Sequence, residues 1–180
     1  MLRFARSLAL LGAALAAAPV FSAGGHVELM DARVDLSDRA SLQRGAKTFM
    51  NYCTGCHSAQ YMRYSRLGKD LGIPEEVVED NLMFNADKIG SPIQVTMKPK
   101  DALDWFGVVP PDLSVVARSR GPDWLYSFLL SYYQDDSKAT GVNNTVFQGT
   151  AMPHVLAPLE GIKRKVEHHD EAGHGAHDKT

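Results

Sequence analysis

The 180-residue chain has only two cysteines, no surplus of basic charge and, past its first two dozen residues, no long apolar run. Two cysteines cannot build a disulfide-dense scaffold. With 19 Lys plus Arg against 21 Asp plus Glu the formal charge is −2, which excludes the basic footprint of a nucleic-acid-binding protein. A bilayer-spanning helix takes about 20 apolar residues, and none lies beyond residue 23. No run alternates convincingly enough to predict a strand, and no internal repeat is visible. What is present is 44% hydrophobic and 22% charged, the composition of a globular chain with a core.

Residues 1–23 read as a secretory signal. Arg3 and Arg6 precede an apolar stretch from Leu8 to Val20, and Ser22-Ala23 offers a cleavage point before Gly24. Phe21 departs from the small residue such a site prefers. Cleavage there removes two Arg and no acid, leaving 17 basic residues against 21 acidic and a charge of −4. Residues 24–160 then form the expected domain. Residues 161–180 form a polar tail in which His168, His169, His174 and His177 offer loose metal ligands but no preformed geometry.

The pattern between the ends predicts helices. Ser37 or Asp38 caps one running to Tyr52, with Leu42, Ala46, Phe49 and Cys53 on one face. Gly45 sits inside it, explained by a close helix crossing or by tolerance. Pro74, Glu75 and Glu76 suit a helix start. Asp101–Phe106 reads as a short helix stopped by Gly107. Asp112 caps another through Leu113, Val115 and Val116 to Arg118. Asp123–Tyr133 reads as the strongest helix, with Leu125, Phe128, Leu129 and Tyr132 as its buried stripe. Residues 134–160 are turn-rich, with Gly141, Asn143-Asn144, Gly149, Pro153 and Pro158. The expected architecture is mostly α with long loops, and such loops need something large to pack on.

Both cysteines fall in Cys53-Thr54-Gly55-Cys56-His57, the C-x-x-C-H pattern of c-type haem attachment. Two thiols with a two-residue spacer reach both vinyl groups of one porphyrin, and the adjacent His57 ligates the iron as neutral imidazole. The rival readings are weaker. A redox dithiol has no use for the histidine. A zinc site needs two more good ligands. A disulfide over two residues is strained and closes almost no loop.

A second axial ligand is expected for an electron-transfer haem. Met50 and Met62 are too close in sequence to His57 to reach the opposite ring face, and Met30 reaches it only by a long wrap. Met83, Met97 and Met152 remain. Met152 stands in Gly149-Thr150-Ala151-Met152-Pro153-His154, where Pro153 restrains the backbone beside the sulfur. His154 is the alternative ligand.

The sequence resembles the cytochrome c1 family over roughly residues 27–160. The resemblance is carried by Tyr52–Ser58, Tyr61-Met62-Arg63-Tyr64-Ser65-Arg66-Leu67, Trp105-Phe106-Gly107, Pro110-Pro111-Asp112-Leu113-Ser114, Arg118-Ser119-Arg120 and Gly141–His154. It implies a class I-like cytochrome c fold with family insertions around one covalent haem c, with His57 and Met152 as axial ligands. It implies Arg120 beside a haem propionate, which agrees with guanidinium–carboxylate chemistry, and Tyr126 lining the haem pocket. The implied role is one-electron transfer from a Rieske iron–sulfur protein to a soluble cytochrome c, beside cytochrome b in a quinol-oxidising complex. The implied place is the periplasmic face of a bacterial inner membrane. A free periplasmic monohaem carrier is the alternative. Family members continue into a C-terminal membrane anchor that this chain does not contain, so attachment is expected through the complex or through that absent segment.

Six acidic residues, Asp70, Glu75, Glu76, Glu79, Asp80 and Asp87, occur with no Lys or Arg between the first and the last. They form either a steering patch for a basic partner or an ordinary solvated face.

Overall fold

The computed structural model describes residues 27–166. The expected signal and the four tail histidines lie outside the described residues. Helices dominate the described part, as the sequence pattern predicts.

Helix α1 spans Arg39–Tyr52, and Asp38 is the cap: its carboxylate accepts the Ser41 N–H at 2.9 Å. Ala46 and Met50 are its buried residues. A Cβ on Gly45 would meet nothing within 4 Å. No helix crosses there, and tolerance explains the glycine.

Strand β1 (Ala59–Arg63) pairs antiparallel with β2 (Pro92–Ile93). Between them in sequence lie α2 (Tyr64–Leu71) and α3 (Glu75–Leu82). Gly68 lets these helices close, since a Cβ there would sit 3.0 Å from the Val78 side chain and 3.2 Å from the Ile73 carbonyl. Gly72 ends α2 with φ +64°, the Arg39 guanidinium lying where a side chain would go. The first core forms here from Met50, Ala59, Tyr64, Val78, Leu82 and Ile93.

Helix α4 (Pro99–Phe106) ends at Gly107 with φ +73°, as its sequence predicts. Short α5 (Val116–Arg120) and α6 (Pro122–Leu130) follow, then β3 (Tyr132–Gln134) paired with β4 (Val142–Asn144), then α7 (Ala157–Glu160). The second core is aromatic: Phe128, Tyr132 and Val142, with Trp124, Leu129, Val146 and Met152 against it. Residues before α1 lie along α6, where the Met30 N–H donates to Ser127 Oγ at 2.7 Å and the Ala32 N–H to Asp123 at 2.9 Å.

Three expectations are corrected. Strands exist, but they are two to five residues long, and β1–β2 has irregular register between Ala59 and Arg63, so no alternation accumulates. Asp112 does not cap a helix: α5 starts at Val116 without a side-chain cap. Helix α6 stops at Leu130, and Tyr132 belongs to β3, because the chain turns there to pair with β4. Among the described residues no helix is long and apolar enough to cross a membrane.

Candidate haem site

The attachment segment begins where α1 ends. The Cys53 N–H still bonds to the Phe49 carbonyl, and the Cys53 carbonyl accepts the N–H groups of both Cys56 and His57 at 3.0 and 2.9 Å. This turn is set from inside by Thr54, whose buried hydroxyl donates to the Met50 carbonyl at 2.8 Å. Both cysteines are free and half-buried. Burial pushes both thiols up, Cys53 also through the neighbouring Cys56. They are neutral thiols at pH 7, unlike the acidic thiols of a redox dithiol.

His57 is buried, and its Nδ1 lies 2.8 Å from the Pro111 carbonyl oxygen. A carbonyl only accepts, so Nδ1 carries the proton and Nε2 keeps a free lone pair. That is the tautomer a metal ligand needs, with the partner that fixes its ring. The partner is itself held. The Leu113 N–H donates to the Ser58 carbonyl at 2.7 Å, and the Tyr61 N–H to Ser114 Oγ at 3.1 Å. Asp112 accepts the N–H groups of Gln60 and Ser114 at 2.9 and 2.8 Å. Partial burial would raise the Asp112 pKa, but hydrogen bonds from Ser114 and Gln60, with His57 nearby, hold it below the usual carboxylate range. Residues 111–114 thus clamp the stretch that follows the cysteines.

A cleft of about 180 Å³ opens beside Cys56, walled by Val95, Met97, Pro99, Ala102, Val109 and Pro110, with polar edges at Ser58, Gln60 and Asp112. Around it, Leu103, Trp105 and Val108 expose large apolar side chains. A neutral dithiol, a histidine with a free Nε2 and an apolar wall fit a covalently attached porphyrin.

Met152 sits elsewhere, against the second core. Its N–H approaches Thr150 Oγ1 at 3.3 Å, and its carbonyl accepts the Tyr132 hydroxyl at 3.2 Å. Burial pushes the Tyr132 pKa up to about 12, against a hydrogen bond with Thr150, so this hydroxyl remains a donor. His154 is buried with Nε2 turned to Gly161 and Glu160. The other methionines are differently employed: Met50 fills the first core, Met62 and Met83 pack on it, and Met97 lines the cleft beside Cys56. Arg120 is exposed at the end of α5, its guanidinium 4.9 Å over the Trp124 ring. Tyr126 on α6 is also exposed. All six residues of the acidic stretch are exposed.

The sequence reading missed Pro111, which acts through a backbone carbonyl that no residue identity reveals. It also missed Asn143 and Asn144, both buried and both holding the loop ahead of Met152. Their signal was present as an Asn pair, but it read as a turn.

A family model, the Cytochrome C1 family, matches residues 30–178. The chain belongs to the cytochrome c1 family. It is 55% identical over 152 residues to a cytochrome c1 of Allochromatium vinosum, an alignment covering 84% of this chain and 62% of that protein. It is 47% identical, again over 152 residues, to an ammonia monooxygenase gamma subunit of Nitrosomonas europaea, covering 84% of this chain and 64% of that one. A cytochrome b/c1 of Bradyrhizobium diazoefficiens is 25% identical, with 72% and 20% covered. The chain thus spans less than two thirds of the length of these relatives. Cytochrome c1 proteins carry one covalently bound c-type haem, the group for which Cys53, Cys56 and His57 are suited.

Proposed function

We propose that this cytochrome c1 chain carries single electrons in a bc1-type complex, taking them from a Rieske iron–sulfur protein and passing them to a soluble cytochrome c. Cytochrome b is the partner in the membrane, and the domain of residues 24–160 is a class I-like cytochrome c fold on the periplasmic side. The observation that carries the reading is the His57 Nδ1–Pro111 bond, which leaves a fixed, buried imidazole with one nitrogen for iron. When bound, the haem supplies an iron that cycles between two oxidation states.

The residues take the following parts. Cys53 and Cys56 hold the ring through thioethers. His57 and Met152 would ligate its iron, a pairing that would raise the reduction potential. Arg120 pairs with a propionate, which its exposed, permanently charged guanidinium suits. Tyr126 covers the ring edge. The exposed acidic stretch of Asp70–Asp87 steers a basic acceptor by long-range attraction.

Met152→Ala tests the ligand set against Met97→Ala. The haem-loaded wild type and Met97→Ala are expected to resist carbon monoxide when reduced, and Met152→Ala to bind it readily with a lowered potential. Ready binding by Met97→Ala, with Met152→Ala unchanged, would transfer the role to Met97. A haem-stained denaturing gel of membranes and periplasm tests the setting. A haem-positive product confined to the soluble periplasm would replace the complex subunit with a diffusible carrier.

A further inference from the structure

The loop that carries Met152 contains little regular structure, so something other than a helix or sheet must hold the sulfur in place. Its carbonyl is fixed by Tyr132. Two residues on, the His154 side chain is only 3% exposed, and its ring stacks on Tyr132 with centroids 4.8 Å apart and planes 7° from parallel. His154 Nε2 faces two acceptors, the Gly161 carbonyl at 3.2 Å and Glu160 Oε1 at 3.4 Å. Nε2 must therefore carry a proton, which leaves Nδ1 as the lone-pair nitrogen of the neutral ring.

Glu160 is the unusual member. Its Oε1 is buried and makes no well-formed hydrogen bond among the described residues, although the His154 ring is beside it. Leaving a carboxylate oxygen so placed costs free energy, and a group kept at that cost is a candidate for a role beyond stability. Its Oε2 accepts Lys163 Nζ at 2.6 Å, and the same Nζ donates to the Leu130 carbonyl at 2.7 Å. A path of contacts therefore runs from the end of α6 through Lys163 and Glu160 to His154, while Tyr132 at the start of β3 holds the Met152 carbonyl.

We propose that Glu160, acting through His154, is a positioning residue for Met152. The proposal rests on Met152 being the second axial ligand. Met152 and His154 flank a single proline, so a shift of the His154 ring off its stack on Tyr132 carries the Met152 backbone, and with it the base of the sulfur-bearing side chain, out of place. The Gly161 carbonyl accepts from Nε2, and the carboxylate 3.4 Å away adds electrostatic attraction that favours the ring in that stack. Without it the ring loosens, and the sulfur spends more time away from the iron.

The test uses the haem-loaded chain and three readouts. These are the far-red sulfur-to-iron charge-transfer band of the oxidised form, the carbon monoxide binding rate of the reduced form, and far-ultraviolet circular dichroism for global folding. Relative to wild type, Glu160→Ala is expected to bind carbon monoxide about tenfold faster, since that rate scales with the fraction of time the ligand is off. It should lose the band at a temperature where the helices are still intact. Glu160→Gln keeps the size but one good partner at most, and should give a rise of about threefold. If Glu160→Ala fails to fold, Glu160→Gln decides alone: a rise supports the proposal, and a wild-type rate overturns it. Wild-type rates in both Glu160 variants, with fast binding in Met152→Ala, overturn the positioning role and leave the ligand assignment standing. A wild-type rate in Met152→Ala removes the ligand assignment and the proposal with it.

Discussion

His57 and Met152 are held by different means. Around His57 the hold is largely main chain: Pro111 through its carbonyl, Leu113 through its N–H to Ser58, and Gln60 and Tyr61 through N–H groups taken by short side chains. Around Met152 side chains do more of it: Tyr132 on the Met152 carbonyl, Thr150 on the Met152 N–H, and His154 stacked on Tyr132 with Glu160 beside it. The two cores differ in the same sense. The first is chiefly aliphatic and lies beneath α1, α2 and α3; the second is a run of rings, with Trp124 stacked on Phe128 at 5.1 Å and Phe128 edge-on to Tyr132 at 5.4 Å. A site gripped by backbone tolerates sequence change in its surroundings. A site gripped by side chains can be retuned one residue at a time.

The largest effect that sharpens this contrast is expected at Asn144. It is fully buried, donates to the Phe128 carbonyl at 2.7 Å and accepts the N–H groups of Val146 and Phe147 at 2.9 and 3.0 Å. Asn144→Ala should destabilise the chain by roughly 2–3 kcal/mol, because it removes three hydrogen bonds and leaves a gap at a fully buried position. Urea unfolding would measure it. A loss below about 0.5 kcal/mol, within the range of an ordinary surface change, would mean that side chains do not hold this half.

Asp112→Ala comes next, at roughly 1–2 kcal/mol, since the main-chain bonds beside it survive. Its pH dependence is specific. The Asp112 pKa is lowered on folding, so its contribution is complete above the unfolded value near 3.8 and is lost as pH falls through the lower folded one. The difference between wild type and Asp112→Ala should therefore be full at pH 7 and shrink in acid. A difference that does not depend on pH would detach Asp112 from the clamp.

The smallest structural effect is expected on α3. Replacing exposed Glu75, Glu76 and Glu79 by Lys should cost up to about 1 kcal/mol, because Glu75 and Glu76 lie in the first turn of the helix, while slowing electron transfer to a basic cytochrome at low salt and flattening its salt dependence. Unchanged rates at every ionic strength would reduce the acidic stretch to a solvated face.

Local signals were the legible ones. Helix α1 announced itself through Asp38 and its apolar spacing, α4 through Gly107, and the attachment motif through five consecutive residues. Contacts made by backbone atoms far apart in sequence were not legible. Pro111 stands 54 residues from His57, and its identity says only that the chain is extended there. Asp112 and the Asn143-Asn144 pair were misread for one reason: short polar side chains serve turns, caps and buried backbone groups alike. Which of these they serve depends on partners that only the fold brings near. For Met152, spacing left three methionines open and its proline-flanked loop favoured it among them, and family resemblance strengthened that choice.

The segment lying along α6 has a consequence for the order of assembly. Met30 is seated on Ser127, 97 residues later in the chain. Met30 has nothing to hold there until α6 has formed, so this contact must close a long loop and settles late. None of the described residues ahead of α1 belongs to either core, so releasing this segment would uncover one face of α6 without opening the two clusters.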